Sequence, residues 1–212
     1  MKTNKYNDSN INYWVCSDLH LNHDKEFIYK KRGYNNVTEH NLDIIQNINK
    51  LVQPDDILFS LGDFCLNTDE NQLDTILNQI TCQNIYMIWG NHPNPLKKIY
   101  HREVYNKYND ENIEVYPFRY KNVVFLGYHY ECTILGRYVV MNHFPIEVWD
   151  HMKHGAYMLC GHSHYSLKRT RKECTDGLTL DCGWEGHKTV LNFKDIIKIM
   201  NYKTIRVVDH HA

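Results

Sequence analysis

The chain has 212 residues, of which 42% are hydrophobic and 23% charged, with a net charge of −1 when histidines are neutral. That is the balance of a soluble globular protein long enough to bury a sizeable core, and it excludes a strong field driving the chain onto nucleic acid or an anionic membrane. The opening residues hold no apolar core of signal-peptide length and no apolar run reaches about 18 residues, so a cytoplasmic protein without a membrane span is expected.

In chain order, "INYWVCSD" (11–18) is a short aromatic and β-branched run entering a polar loop, which predicts a strand. Residues 39–52 place Leu42, Ile45, Ile48 and Leu51 or Val52 on one helical face, with Thr38 as the expected N-cap. "QPDDILFSLGD" predicts a turn and then a strand over 57–61, and Leu73, Ile76, Leu77 and Ile80 predict a helix over 70–80. "NIYMIWGNH" (84–92) reads as a strand entering a loop. Pro95 suits the first position of a helix running to about Tyr108.

The second half is richer in strands. Residues 122–143 predict two strands around a turn, 145–154 a short helix, 156–164 and 177–184 further strands, and 193–200 a closing helix. No repeat, low-complexity tract or Pro/Gly-rich linker interrupts the pattern, so a single domain over 1–212 is expected, with a core at about 11–200. Seven cysteines, none in a CxxC pair and most in apolar runs, read as buried free thiols.

Five predicted strands end in side chains that bind metals: Asp18 and His20 in "SDLH", Asp63 in "LGDF", Asn91 and His92 in "WGNH", His143 in "MNHF", and His162 and His164 in "CGHSH". Loops at the carboxyl ends of strands converge on the ligand crevice of an α/β sheet. Carboxylate, imidazole and amide oxygen suit Mn²⁺, Fe, Zn²⁺ or Mg²⁺ better than a thiolate-loving ion. Asp18, His20, Asp63, Asn91, His143, His162 and His164 are too many for one ion and right for two sharing a bridging carboxylate. Two such ions, about 3.5–4 Å apart, clamp a phosphoryl group and ionise a water for in-line attack. His92, beside Asn91, is then the natural acid or phosphate contact. Each block alone is ordinary turn chemistry; the ordered set carries the reading.

The series D-x-H, G-D, G-N-H, lone His and G-H-x-H resembles the calcineurin-like metallophosphoesterases, over residues 18–199. The likeness is greatest to their compact, cap-less bacterial and phage members, with "DLHLNH", "NHFPIEVW" and "LDCGWEGHKTVLNFKDI" resembling further blocks. The resemblance implies an α/β fold, a four-layer α/β/β/α sandwich with its metal site at the strand C-terminal ends. It implies that Asp18, His20 and His164 bind one divalent ion, that Asn91, His143 and His162 bind the other, and that Asp63 bridges them. His92 would contact the scissile phosphate. Mn²⁺ is the first choice of metal, with Fe, Zn²⁺, Ni²⁺ or Mg²⁺ as alternatives. Two positions depart from the pattern: Asn67 is the only polar candidate after Asp63, and Pro93 stands where an acidic residue often follows the histidine.

Secondary candidates keep two readings each. Asn22 and His23 are outer supports or substrate contacts, or else a surface helix start. Arg32 is a fork for a substrate phosphate or a solvated charge. "KRTRK" (168–172) is a phosphate-attracting rim or a plain solvated loop. His129, His151, His154 and His187 read as surface or packing residues, and His210 and His211 as a tail.

The expected function is a dinuclear metal-dependent phosphoesterase acting on a small, nucleotide-like phosphodiester or phosphomonoester. A nuclease working on strand ends is the alternative within enzymes; the near-neutral charge, with no basic track for a polymer, weighs against it. A non-catalytic binding scaffold of the same fold is disfavoured because all seven ligand positions are filled. A structural zinc site is disfavoured because it normally takes four ligands, often thiolates.

Overall fold

A computed structural model describes residues 4–66, 68–92, 95–110 and 112–208. Asn67, Pro93, His210 and His211 lie outside the described residues.

The strands β1 (Asn4–Tyr6), β2 (Tyr13–Cys16), β3 (Ile57–Ser60), β4 (Ile85–Met87), β5 (Phe118–Tyr120), β6 (Val123–Phe125), β7 (His129–Ile134), β8 (Arg137–Asn142), β9 (Tyr157–Cys160), β10 (Thr179–Asp181) and β11 (Leu191–Asn192) form two sheets. One is six-stranded in the order β11-β2-β3-β4-β6-β5, and the other five-stranded in the order β1-β7-β8-β9-β10. The helices are α1 (Glu26–Tyr29), α2 (Val37–Leu51), α3 (Glu70–Gln79), α4 (Pro95–Tyr108), α5 (Trp184–His187) and α6 (Phe193–Met200).

Strands β2, β3, β4 and β6 are mutually parallel. Parallel strands covered on both faces read as continuous apolar runs, as "ILFS" does. The period of two then divides each strand between two cores. Tyr13, Val15, Ile57 and Phe59 face the second sheet, where they meet Cys132, Ile134, Val139, Met141, Leu159 and Leu180. Cys16 and Leu58 face Ile44, Ile48, Leu73, Leu77, Leu96 and Tyr100 from α2, α3 and α4. The outer face of the five-stranded sheet is covered by Trp149, Met152 and Ala156, which pack on Val140, Met158 and Cys160. The layer order is therefore helix, sheet, sheet and a helical turn, which is the expected α/β/β/α sandwich. Helix α6 packs Phe193, Ile196 and Met200 into the core between the sheets.

The differences from the expected elements have local causes. Helix α2 is capped by Asn36, whose side chain accepts from the Glu39 amide at 2.9 Å, rather than by Thr38. Helix α3 starts as expected, on a capping box between Asp69 and Gln72. The run 122–143 holds three strands rather than two. The chain turns at Gly127 (φ +89°), so that β6 stays in the six-stranded sheet while β7 and β8 form a hairpin in the other. The expected helix at 145–154 reduces to one 3-10 turn, Met152–His154. Strands of two or three residues, such as β1 and β11, are too short to show a period. All seven cysteines are free, and six are buried. No helix among the described residues is long and apolar enough to cross a membrane.

Candidate metal centre

Parallel order sends the carboxyl ends of β2, β3 and β4 to one edge, and β8 and β9 deliver their ends to the same place. The loops are locked by backbone hydrogen bonds: Asp18 N to Gly62 O at 3.2 Å, His20 N to Asp63 O at 2.9 Å, Gly161 N to His143 O at 2.9 Å and Ser17 N to Cys182 O at 3.0 Å. The last joins the two sheets at the floor of the site.

Five of the seven candidate ligands, Asp18, His20, Asp63, His162 and His164, have φ between +46° and +65°. Non-glycine residues avoid this region at a cost of about 1–2 kcal/mol each. Such strain gathers where surrounding structure holds side chains for function. The glycines of the motifs serve close approach. A Cβ at Gly90 would collide with the Asp63 carboxylate, and one at Gly161 would sit 2.5 Å from Asp18 Oδ2 and strike the Ser17 hydroxyl.

Two groups of potential ligand atoms lie within 4.8 Å of one another: Asp18, His20 and His164, and Asp18, Asp63 and His143. Asp63 Oδ2 stands 3.9 Å from His20 Nε2 and 3.4 Å from His143 Nε2. Asn91 Oδ1 lies 2.7 Å from His143 Nε2 and 2.9 Å from His162 Nδ1. His92 donates its backbone N–H to Asp63 Oδ1 at 3.2 Å, and its half-exposed ring holds Nε2 3.9 Å from Asp63 Oδ2. All seven candidates and His92 therefore share one site.

The atoms present fit cations. Asp18 Oδ1 and His20 Nε2 are buried, 4.0 Å apart, and find no hydrogen-bond partner among the described residues. An unmet buried polar atom costs about 1–3 kcal/mol, which a bound cation would remove. His143 Nδ1 faces the Leu61 carbonyl at 2.8 Å while its Nε2 faces two more oxygens, so both nitrogens need protons unless a cation lies on the Nε2 side.

The protonation preferences follow. Burial pushes the Asp18 carboxyl up to about 6 and the His20 imidazole down to about 2, leaving His20 neutral with a free lone pair. Burial opposes ionisation of Asp63, but the hydrogen bond and charge of His143 outweigh it and hold the carboxyl at about 2. Burial likewise disfavours charge on His143 and His164, yet Asp63 raises the first and Glu185 the second. Cation binding would displace those protons.

Among the secondary candidates, His23 is buried, stacked on His20 with ring centroids 5.1 Å apart, and its Nδ1 lies 3.0 Å from His20 Nδ1. That contact leaves His20 Nε2 as the atom available to a cation and makes His23 a support for the ring. Asn22 is interlocked with Asn41 by backbone and side chain. Arg32 is neither a solvated charge nor open to substrate. Its side chain is fully buried, and its guanidinium bonds to Glu185, His40 and the carbonyls of Asp18 and Leu19. In the basic run, Arg169 pairs with Glu147 and Arg171 bonds to the Tyr165 carbonyl, so both tie down their own surroundings. His129 pairs with Glu131, His151 stacks on Tyr138, and His187 bonds to the Asp181 carbonyl.

The sequence reading missed Glu185, 2.7 Å from His164 Nδ1, and Asp181, which accepts from Ser163, Tyr165 and Gly183 and so braces the loop carrying His162 and His164. The signal was a sixth strand end, "LDCGWE", whose acids carry no spacing cue of their own.

A model of the calcineurin-like phosphoesterase family matches residues 11–176. An uncharacterized protein of Methanocaldococcus jannaschii is 34% identical over 79 residues, covering 37% of this chain and 45% of that protein. The chain thus matches less than half the length of that relative. A crystal structure of a protein of unknown function from Aquifex aeolicus superposes with a TM-score of 0.59 at 16% identity, covering 89% of this chain and 99% of that one, a likeness of fold.

The close approach at Gly161 is testable by heat. Added Mn²⁺ should raise the melting temperature of the wild type, as any ligand of the native state does. Gly161→Ala should fold but lose most of that rise, because the new methyl group displaces Asp18. An equal rise in both proteins would show that the tight approach is dispensable.

Proposed function

Because the chain belongs to the calcineurin-like phosphoesterase family, matched over residues 11–176, we propose that it is a phosphoric ester hydrolase working with two divalent cations, Mn²⁺ by preference. The observation that carries the two-cation reading is the place of Asp63. Its Oδ2 is 3.9 Å from His20 Nε2 and 3.4 Å from His143 Nε2, which supports its reading as a carboxylate shared by two cation positions. Asp18, His20 and His164 would hold one ion, Asn91, His143 and His162 the other, and Asp63 both, all within a single domain. Bound divalent ions supply Lewis-acid polarisation of phosphoryl oxygens and ionisation of water near neutral pH.

The chain's own residues do the rest. Asn91 offers an uncharged oxygen between two imidazoles. His92 is held at the rim by its amide bond to Asp63, with an accessible ring placed to donate a hydrogen bond to a phosphoryl or leaving-group oxygen. A small phosphodiester or phosphomonoester of nucleotide type is the favoured substrate. The net charge of −1 and the internally engaged arginines at 169 and 171 support it over a long polyanion.

The test is hydrolysis of an aryl phosphodiester with added Mn²⁺, extended to phosphomonoesters, cyclic nucleotides, dinucleotides and short oligonucleotides. Activity should appear with metal and vanish with chelator; no turnover with any of several divalent ions would sink the proposal. Asp63→Asn should lower kcat by on the order of 10²–10³-fold by weakening both positions. A mere halving would rule out the bridging role. His92→Ala should slow turnover by about 10²-fold, in the range of general acid catalysis, with metal content unchanged; loss of metal would instead make it a ligand.

A further inference from the structure

Resting on the two-cation reading above, we propose that Arg32 and Glu185 form a buried clamp of positioning residues. The clamp imposes the tautomer of His164 and holds the loop of Asp18 and His20 against it, so that it governs occupancy of one cation position and not the other.

The geometry is specific. Glu185 Oε1 lies 2.7 Å from His164 Nδ1 and accepts from Arg32 Nε at 2.8 Å and from Arg32 Nη2 at 2.6 Å. A carboxylate oxygen held by a guanidinium fork accepts hydrogen bonds and has no proton to give. His164 must therefore carry its proton on Nδ1, which leaves the Nε2 lone pair for a cation. The same fork reaches the other loop: Nη2 donates to Asp18 O at 2.7 Å, and Nη1 donates to Leu19 O at 2.8 Å and meets His40 Nε2 at 2.8 Å. One guanidinium thus joins the backbone beneath Asp18 to the carboxylate behind His164. These are members of a single ligand group, with the His20 and His164 rings 5.0 Å apart. Lys188 adds a tie, donating Nζ to Arg32 O at 2.9 Å.

The arrangement exceeds what packing needs. Glu185 Oε2 is buried without a hydrogen-bond partner among the described residues, a cost that an apolar side chain of similar size would avoid. A carboxylate behind a ligating imidazole both orients the ring and raises its basicity. Among the described residues neither Arg32 nor Glu185 hydrogen-bonds to Asn91, His143 or His162. The clamp reaches that set through Asp18, whose Oδ2 accepts from the His162 N–H at 2.9 Å, so its direct hold is on the position built from Asp18, His20 and His164.

The experiment is calorimetric titration of the full-length chain with Mn²⁺, after chelator treatment, with circular dichroism to establish the fold of each variant. The wild type should bind two ions. Glu185→Gln can turn an amide N–H₂ toward His164 Nδ1 and so permit the wrong tautomer. It should weaken one binding step by about 10–100-fold and leave the other in place. Arg32→Lys keeps the charge but loses the planar fork; it should weaken the same step, and it carries the test if Glu185→Gln fails to fold. A wild type binding two ions beside a Glu185→Gln variant with both steps intact overturns the clamp alone, as does a parallel weakening of both steps. A wild type binding fewer than two ions overturns the two-cation reading and the clamp with it.

Discussion

Asp18 and Asp63 are buried together at the line where the two sheets meet, with ligand oxygens within 4.8 Å and side chains almost wholly shielded from water. Two carboxylates in that position repel, and each is costly to desolvate. The surroundings can be understood as the response. Asp18 Oδ2 takes the His162 amide, Asp63 Oδ1 takes the His92 amide, and His143 lies against Asp63 Oδ2. Asp18 Oδ1 and His20 Nε2 stay unmet among the described residues. Protein groups thus stabilise Asp63 as an anion and leave Asp18 only partly compensated. That asymmetry is the condition in which added positive charge lowers the energy most.

Topology makes the meeting of these groups cheap. In the six-stranded sheet the parallel order β2-β3-β4 aligns three carboxyl ends without any long loop having to fold back. The second sheet brings its candidate ligands from the ends of β8 and β9, and the bond from Ser17 N to Cys182 O ties that sheet, just past β10, to the end of β2. The inter-sheet core of Val15, Phe59, Val139, Met141 and Leu159 therefore works as a spacer. A packed interior has little freedom to yield, so candidate ligands rooted in both sheets stay in register.

Precision at the rim has its own local cost. Left-handed backbone at five candidate ligand positions and glycines that admit no Cβ are both unfavourable for the isolated loop. They persist because bracing residues over-determine the loops: Asp181 holds the loop of His162 and His164, Arg32 that of Asp18 and His20, and His23 the ring of His20.

The hydrophobic periodicity of α2 and α3, the apolar runs of β2, β3 and β9, and the ordered D-x-H to H-x-H blocks are local patterns, so the sequence by itself determined the sheet-and-helix alternation and the seven candidate ligands. Elements whose form depends on distant partners were not legible. Strand β1 exists because it pairs with β7 more than 120 residues away, and the run 122–143 divides between two sheets at Gly127. The same holds at the site. Nothing in the spacing of Arg32 or Glu185 marks them as partners, 153 positions apart, and an arginine that looks free for phosphate in one dimension is enclosed in three. Which residues carry metal-grade chemistry is a matter of side-chain type and local order. Which of them touch, which face inward and which hold others in place depends on long-range packing, and that only the tertiary structure decided.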